Sequence, residues 1–265
     1  MEPLCTAMTA IPPPLRSWSK LPENRCAPDE LPAYWKRHDV ITFLADAGMY
    51  DAVRYHNLDA AEKEQVLQFK SEYFKKRFAV SRTILRQVLN QIPGTGNNAD
   101  IVLTREKNGR ISVRDRQDIC ISLSYTGSCI ALTVGKRKIG SDIERVRPIE
   151  ARKIRSSPLF AGGTGGKGNE QNQHLLHVWT LLEAYAKFHD MSLYPLTQDR
   201  FFLPDVHFVS YLIDQRSILS LASDSRPIKD TLLWIDPGCG LVSCGGENTA
   251  TGSSPHMDGD AYVRT

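Results

Sequence analysis

The feature that most constrains this chain is the alternation of short β-like runs with two long stretches of helical spacing. Apolar, β-branched runs occur at 40–44, 101–104, 119–123, 130–134, 139–143, 206–212, 218–222 and 232–235. Turn residues separate them, notably Asn108-Gly109 and Gly127-Ser128. Asp59 followed by Glu62 has the spacing of an N-terminal capping box and opens a helical region to about Phe78. A further helix is expected over 81–92, where Leu85, Val88, Leu89 and Ile92 recur at helical spacing before Pro93, Gly94 and Gly96 end it. Another is expected over 175–189, with an apolar stripe at Val178, Leu181, Leu182, Tyr185 and Phe188. Strand, helices, strands, helix, strands predicts an α+β fold rather than a doubly wound sheet.

At 265 residues and 41% hydrophobic content, the chain can bury a substantial core as one large or two small domains. Residues 1–37 carry Pro12, Pro13, Pro14, Pro22, Pro28 and Pro32 without periodicity and read as an N-terminal extension. Residues 237–265 are rich in Gly, Ser and Thr and read as a flexible tail. A net charge of +3 gives no polycation to argue for nucleic acid. No apolar stretch approaches the roughly 18 residues of a membrane helix, and no basic-then-apolar leader opens the chain. The expectation is a soluble, cytoplasmic protein. Cys5, Cys26, Cys120, Cys129, Cys239 and Cys244 show no paired spacing, so zinc and a disulfide scaffold are not expected.

Two acidic clusters some forty residues apart carry the chemistry. In Gly140-Ser141-Asp142-Ile143-Glu144, strand alternation puts Asp142 and Glu144 on one face. In Trp179-Thr180-Leu181-Leu182-Glu183-Ala184-Tyr185-Ala186-Lys187, one helical turn separates Glu183 from Lys187. Read singly, these are a solvated strand edge and a solvated ion pair. Read together, a strand packed on a helix brings three carboxylates toward a hard divalent cation, suited to handling a pyrophosphate.

Lys70, Lys75, Lys76, Arg77, Arg82 and Arg86 form a basic run, followed by Lys107 and Arg110 at a turn. Either this is a wet helix face or it supplies a phosphate pocket. Ser124-Tyr125-Thr126-Gly127 is either a turn or a further set of donors to such an anion. Gly162 to Gly168 fails the P-loop pattern, because Gly168 follows Lys167 where Ser or Thr is required.

These residues resemble the 4′-phosphopantetheinyl transferases, specifically the larger Sfp-type enzymes that are pseudo-dimers in one chain. The family shows a G-[VI]-D-[VI]-E strand and, about forty residues on, a W-[ST]-x-K-E-[AS]-x-x-K helix. The resemblance covers about 40–235 and implies two similar α/β subdomains, at 38–135 and 136–236. It implies Mg²⁺ held by Asp142, Glu144 and Glu183, with Glu183 and Lys187 catalytic. Arg82, Arg110, Ser124, Tyr125 and Lys70 are then expected to bind coenzyme A. The partner is an acyl or peptidyl carrier protein whose serine receives the 4′-phosphopantetheine arm as 3′,5′-ADP leaves, and the enzyme is expected to be a monomer. The loop at 161–172 is the expected carrier-docking segment.

The chain departs from the family pattern at Leu182 and Arg110, both in place of lysine, and at Tyr125, in place of histidine. Leu182 removes a positive charge, which supports an alternative: a degenerate relative that binds coenzyme A or a carrier without catalysis. An unrelated Mg²⁺-dependent hydrolase is the third reading.

Overall fold

The computed structural model describes residues 12–50, 57–95, 101–106, 109–149, 168–193, 206–224 and 228–237. In chain order these form β1 (Leu15–Trp18), α1 (Leu31–Arg37), β2 (Val40–Asp46), α2 (Ala60–Gln68), α3 (Glu72–Gln91), β3 (Leu103–Arg105), β4 (Ile111–Val113), β5 (Cys120–Thr126), β6 (Cys129–Gly135), β7 (Ile139–Arg145), α4 (Asn169–His189), β8 (His207–Ile213), β9 (Ser217–Ser223) and β10 (Asp230–Ile235). The chain is α+β, with two four-stranded sheets of order β10-β2-β6-β5 and β1-β8-β9-β7 and a small β3-β4 pair.

Side-chain alternation explains how the layers stack. On β2, Ile41, Phe43 and Ala45 join Ile84, Leu85 and Leu89 of α3 in one core. Val40 and Leu44 point the other way and meet Ile139, Ile143, Leu219 and Leu221 of the second sheet. The second sheet turns its far face to α4, where Leu181, Ala184 and Phe188 pack with Ala222. The two sheets thus press together, with a helix on each outer side.

Both halves follow one path. In β2–α3–β5–β6, the last strand inserts between the first two and pairs antiparallel with each. In β7–α4–β8–β9, β9 inserts in the same way between β7 and β8. The outermost strands cross over: β1 pairs parallel with β8, and β10 pairs parallel with β2.

The capping box is present, with Asp59 Oδ1 accepting from Glu62 N at 2.8 Å and Glu62 Oε2 accepting from Asp59 N at 3.1 Å. The helix boundaries differ from expectation. Residues 81–92 do not start a new helix, because Phe78, Ala79, Val80 and Ser81 are all buried and α3 runs through them. The stretch read as an N-terminal extension contributes β1, α1 and the buried Cys26 and Leu31. Its prolines are compatible with order: Pro32 lies in the first turn of α1, where no N–H is needed, and Pro12, Pro13 and Pro14 precede β1 rather than interrupt it. The polar residues 169–172, expected in a loop, form the first turn of α4, whose later turns are anchored in the core. The rest of that loop, 161–167, and the tail from 238 onward lie outside the described residues, as do Lys107 and Asn108. Among the described residues, no helix is long and apolar enough to cross a membrane.

Candidate active site

The site begins where β7 meets α4. Gly140 lies so close to the helix that a Cβ there would overlap the Ala184 carbonyl oxygen and fall 2.5 Å from Phe188 N. That approach seats Asp142 and Glu144, on the same strand face as Gly140, beside Glu183 and Lys187 of α4. The Lys187 ammonium reaches Asp142 Oδ1 at 2.8 Å and the Ser141 carbonyl at 3.1 Å. Ser124 Oγ donates to the same Asp142 Oδ1 at 2.7 Å. Asp142 Oδ2 is buried and has no hydrogen-bond partner. Glu144 Oε2 accepts from Thr126 Oγ1 at 3.4 Å and lies 3.6 Å from Arg147 Nη2.

Burial pushes the Glu144 and Glu183 carboxyls above the usual range, and the neighbouring Asp142 charge pushes both further. For Glu183 the Lys187 ammonium offsets part of this. These are acids crowded enough to resist ionising together, which is the condition a bound cation relieves.

Two adjoining cavities are linked to this cluster through Lys187, the ammonium paired with Asp142, which lines the first; none of the three acids lines either. One, of about 400 Å³, lies between the halves, with Arg110, Ile121, Lys187, Asp190 and Met191 in its walls. The other, of about 270 Å³, is lined by Phe74, Arg77, Phe78, Arg82, Arg105 and Tyr125. Gly109, Ile111 and Leu123 belong to both walls. The second cavity joins aromatic faces to three guanidinium groups, a lining suited to a base and its phosphates.

The residues expected to bind a cofactor divide on inspection. Arg82 is 7% exposed, its Nε has no hydrogen-bond partner, and its nearest carboxylate oxygen, Glu62 Oε1, is 3.7 Å away. Burial disfavours its charged form and lowers its pKa, a cost that an anion in the cavity would offset. Tyr125 hydroxyl and Ser81 Oγ are 2.8 Å apart, and Arg77 stacks 4.5 Å from the Tyr125 ring centre. Arg110 is held at the C-terminal end of α4, 2.7 Å from Asp190 and donating to the Lys187 carbonyl. Ser124 and Lys70 line neither cavity; Ser124 is buried against β7 and Lys70 is exposed.

Sequence reasoning did not single out Arg105, whose one signal is its position at the end of a strand before the Gly109 turn. Arg77 was submerged in a basic run whose member Arg86 is structural, bonded to Glu62, Asp59 and the Ile101 carbonyl.

No family model matches the chain. Three curated proteins are similar to it. The 4′-phosphopantetheinyl transferase ffp of Bacillus subtilis is 23% identical over 190 residues, 71% of this chain and 81% of that protein. The 4′-phosphopantetheinyl transferase Sfp of Bacillus subtilis (strain 168) is 22% identical over 56% of this chain and 64% of its own length. The 4′-phosphopantetheinyl transferase psf-1 of Bacillus pumilus is 23% identical over 42% of this chain and 49% of its own. The chain is thus similar to 4′-phosphopantetheinyl transferases, the Sfp-type enzymes among them, at 22–23% identity.

Similarity to these transferases bears on two features of the site. Leu182, where the motif has lysine, is 1% exposed and packs among Leu175, Val178, Leu181 and Tyr185, so this position serves the core. Among the described residues, no group of three His, Cys, Asp or Glu side chains already surrounds one metal-sized point. The donor chemistry still fits a hard divalent cation, since the three acids offer only oxygens and one of them, Asp142 Oδ2, is buried and unpartnered.

Proposed function

We propose that this chain transfers the 4′-phosphopantetheine arm of coenzyme A to a serine of an acyl or peptidyl carrier protein. The observation that carries the reading is the gathering of Asp142, Glu144, Glu183 and Lys187 at the Gly140 contact, with Lys187 lining a cavity that shares Gly109, Ile111 and Leu123 with the one walled by arginines. Names of the similar proteins support transfer of this group in general.

Asp142, Glu144 and Glu183 would hold Mg²⁺, which when bound supplies neutralising charge to the pyrophosphate. Glu183, its carboxyl biased toward protonation by burial, accepts the proton of the attacking serine hydroxyl. The new bond joins that oxygen to the phosphorus bearing the pantetheine arm, and the bond to the bridging oxygen breaks. The leaving group departs as 3′,5′-ADP, its growing negative charge met by the Lys187 ammonium. Arg82, Arg77 and Arg105 bind the cofactor's phosphates, while Tyr125 and Phe74 flank its base. Arg110 acts from behind, holding the end of α4 that carries Lys187.

The two halves, with their shared strand–helix–strand–strand path, are read as a pseudo-dimer divided near residue 136. Support comes from the same inserted-strand order in both sheets.

The test is a mass measurement. Incubation of the protein with Mg²⁺, coenzyme A and an apo-carrier should add one phosphopantetheine to the carrier, and Glu183→Gln should abolish the gain while leaving the fold intact. An unchanged carrier mass with coenzyme A bound would instead favour a non-catalytic binder, and coenzyme A cleavage with an unmodified carrier a hydrolase.

A further inference from the structure

β5 and β7 run parallel at the join between the two sheets, yet they are connected through side chains. Hydroxyls on alternate residues of β5 accept from alternate backbone N–H groups of β7: Ser122 from Ser141 at 2.8 Å, Ser124 from Ile143 at 3.3 Å, and Thr126 from Arg145 at 2.8 Å. A hydroxyl that accepts one bond still has a proton to give. Ser122 gives its proton to the Ser141 carbonyl at 3.4 Å. Ser124 and Thr126 give theirs to the carboxylates of Asp142 and Glu144, at 2.7 and 3.4 Å.

We infer that Ser124 and Thr126 are positioning residues that aim the two β7 carboxylates at a divalent cation from the opposite half of the molecule. The inference rests on the reading of Asp142 and Glu144 as metal holders. Ser124 fixes the Asp142 rotamer by binding Oδ1, where Lys187 also binds, and this leaves the buried Oδ2 as the oxygen available to an ion. Thr126 does the same for one oxygen of Glu144. Each hydroxyl is itself anchored by a β7 N–H, so the carboxylates acquire their orientation only when the halves are docked. Ser124 therefore acts from behind the metal acids.

Mn²⁺ uptake in the presence of coenzyme A, followed by the loss of the free-ion paramagnetic resonance signal, tests this alongside thermal unfolding. Ser124→Ala and Thr126→Val should each weaken Mn²⁺ about 10- to 100-fold, the usual effect of removing a partner behind a metal ligand. Thr126→Ser, which keeps the hydroxyl, should bind as wild type. Ser122→Ala removes a bond of the same seam without touching a carboxylate, so it should lower the melting temperature yet retain wild-type Mn²⁺ affinity. If Ser124→Ala and Thr126→Val bind Mn²⁺ like wild type, or if Ser122→Ala weakens it as much as they do, the inference fails and the hydroxyls serve the seam alone. If wild-type protein takes up no Mn²⁺, the metal reading falls and this inference falls with it. Should Ser124→Ala not fold, the Thr126→Val and Thr126→Ser pair decides the question.

Discussion

Gly140 and Ala184 touch backbone to backbone: the strand bearing two of the site's acids meets the helix bearing the third with no side chain between them. The glycine of the acidic motif is therefore required by packing, since its neighbours on the helix side are main-chain atoms that cannot turn aside. Gly140→Ala should destabilise the fold by about 1–3 kcal/mol or more, as overpacking of a tight contact does. Urea unfolding measures the loss, and transfer activity should fall with it because α4 must move away from β7.

Lys187 is a third exposed, so its worth lies in charge at the site more than in burial. Lys187→Met should lower kcat by about 10²- to 10³-fold, the range seen when one preorganised electrostatic donor is removed, with little change in melting temperature. Steady-state transfer assays and thermal unfolding on the same preparation check both halves of the expectation.

Among the described residues lining the second cavity, Arg82 carries a guanidinium nitrogen that is both buried and without a hydrogen-bond partner. If it binds the 3′-phosphate, Arg82→Gln should weaken coenzyme A by roughly 10- to 100-fold, equivalent to one charged hydrogen bond of about 1.5–3 kcal/mol. Affinity for 3′-dephospho-coenzyme A should hardly change. Calorimetric titration with the two ligands distinguishes this from a general loss of fold.

His177 is 5% exposed on α4, and burial drives its pKa down to about 4, with His174 adding to the shift. An unfolded histidine protonates near 6.5. Between these values the unfolded chain binds a proton that the folded chain refuses, so stability is complete above about 6.5 and declines as the pH falls toward 4. The loss amounts to something on the order of 3 kcal/mol. Denaturant midpoints measured across that window should fall for wild type and should fall less for His177→Gln.

Much of this architecture was legible because it rests on local rules. The Asp59–Glu62 box, the β-runs and the face shared by Asp142 and Glu144 follow from spacing alone. What escaped depends on contacts distant in sequence. Arg86 and Arg82 look alike in a basic run, but Arg86 is claimed by Glu62 and Asp59 while Arg82 is left facing a cavity. Glu183 and Lys187, readable as a simple i,i+4 pair, belong to a wider cluster in which the ammonium bonds the better-buried Asp142. Nothing local to Ser124 reveals the strand it faces or its bond to Asp142.

The crossed-over edge strands bear on how the molecule comes together. Leu15 is registered with Ser210, and Asp230 with Val40, so each sheet borrows its border from the remote end of the polypeptide. Severing the chain between the halves would yield two fragments that each lack one native strand and bare an open hydrogen-bonding edge prone to association. During synthesis the β2 margin likewise waits uncovered until β10 emerges. Maturation of the first half is thus tied to completion of the second, a high-contact-order route that favours slow, late closure over stepwise assembly.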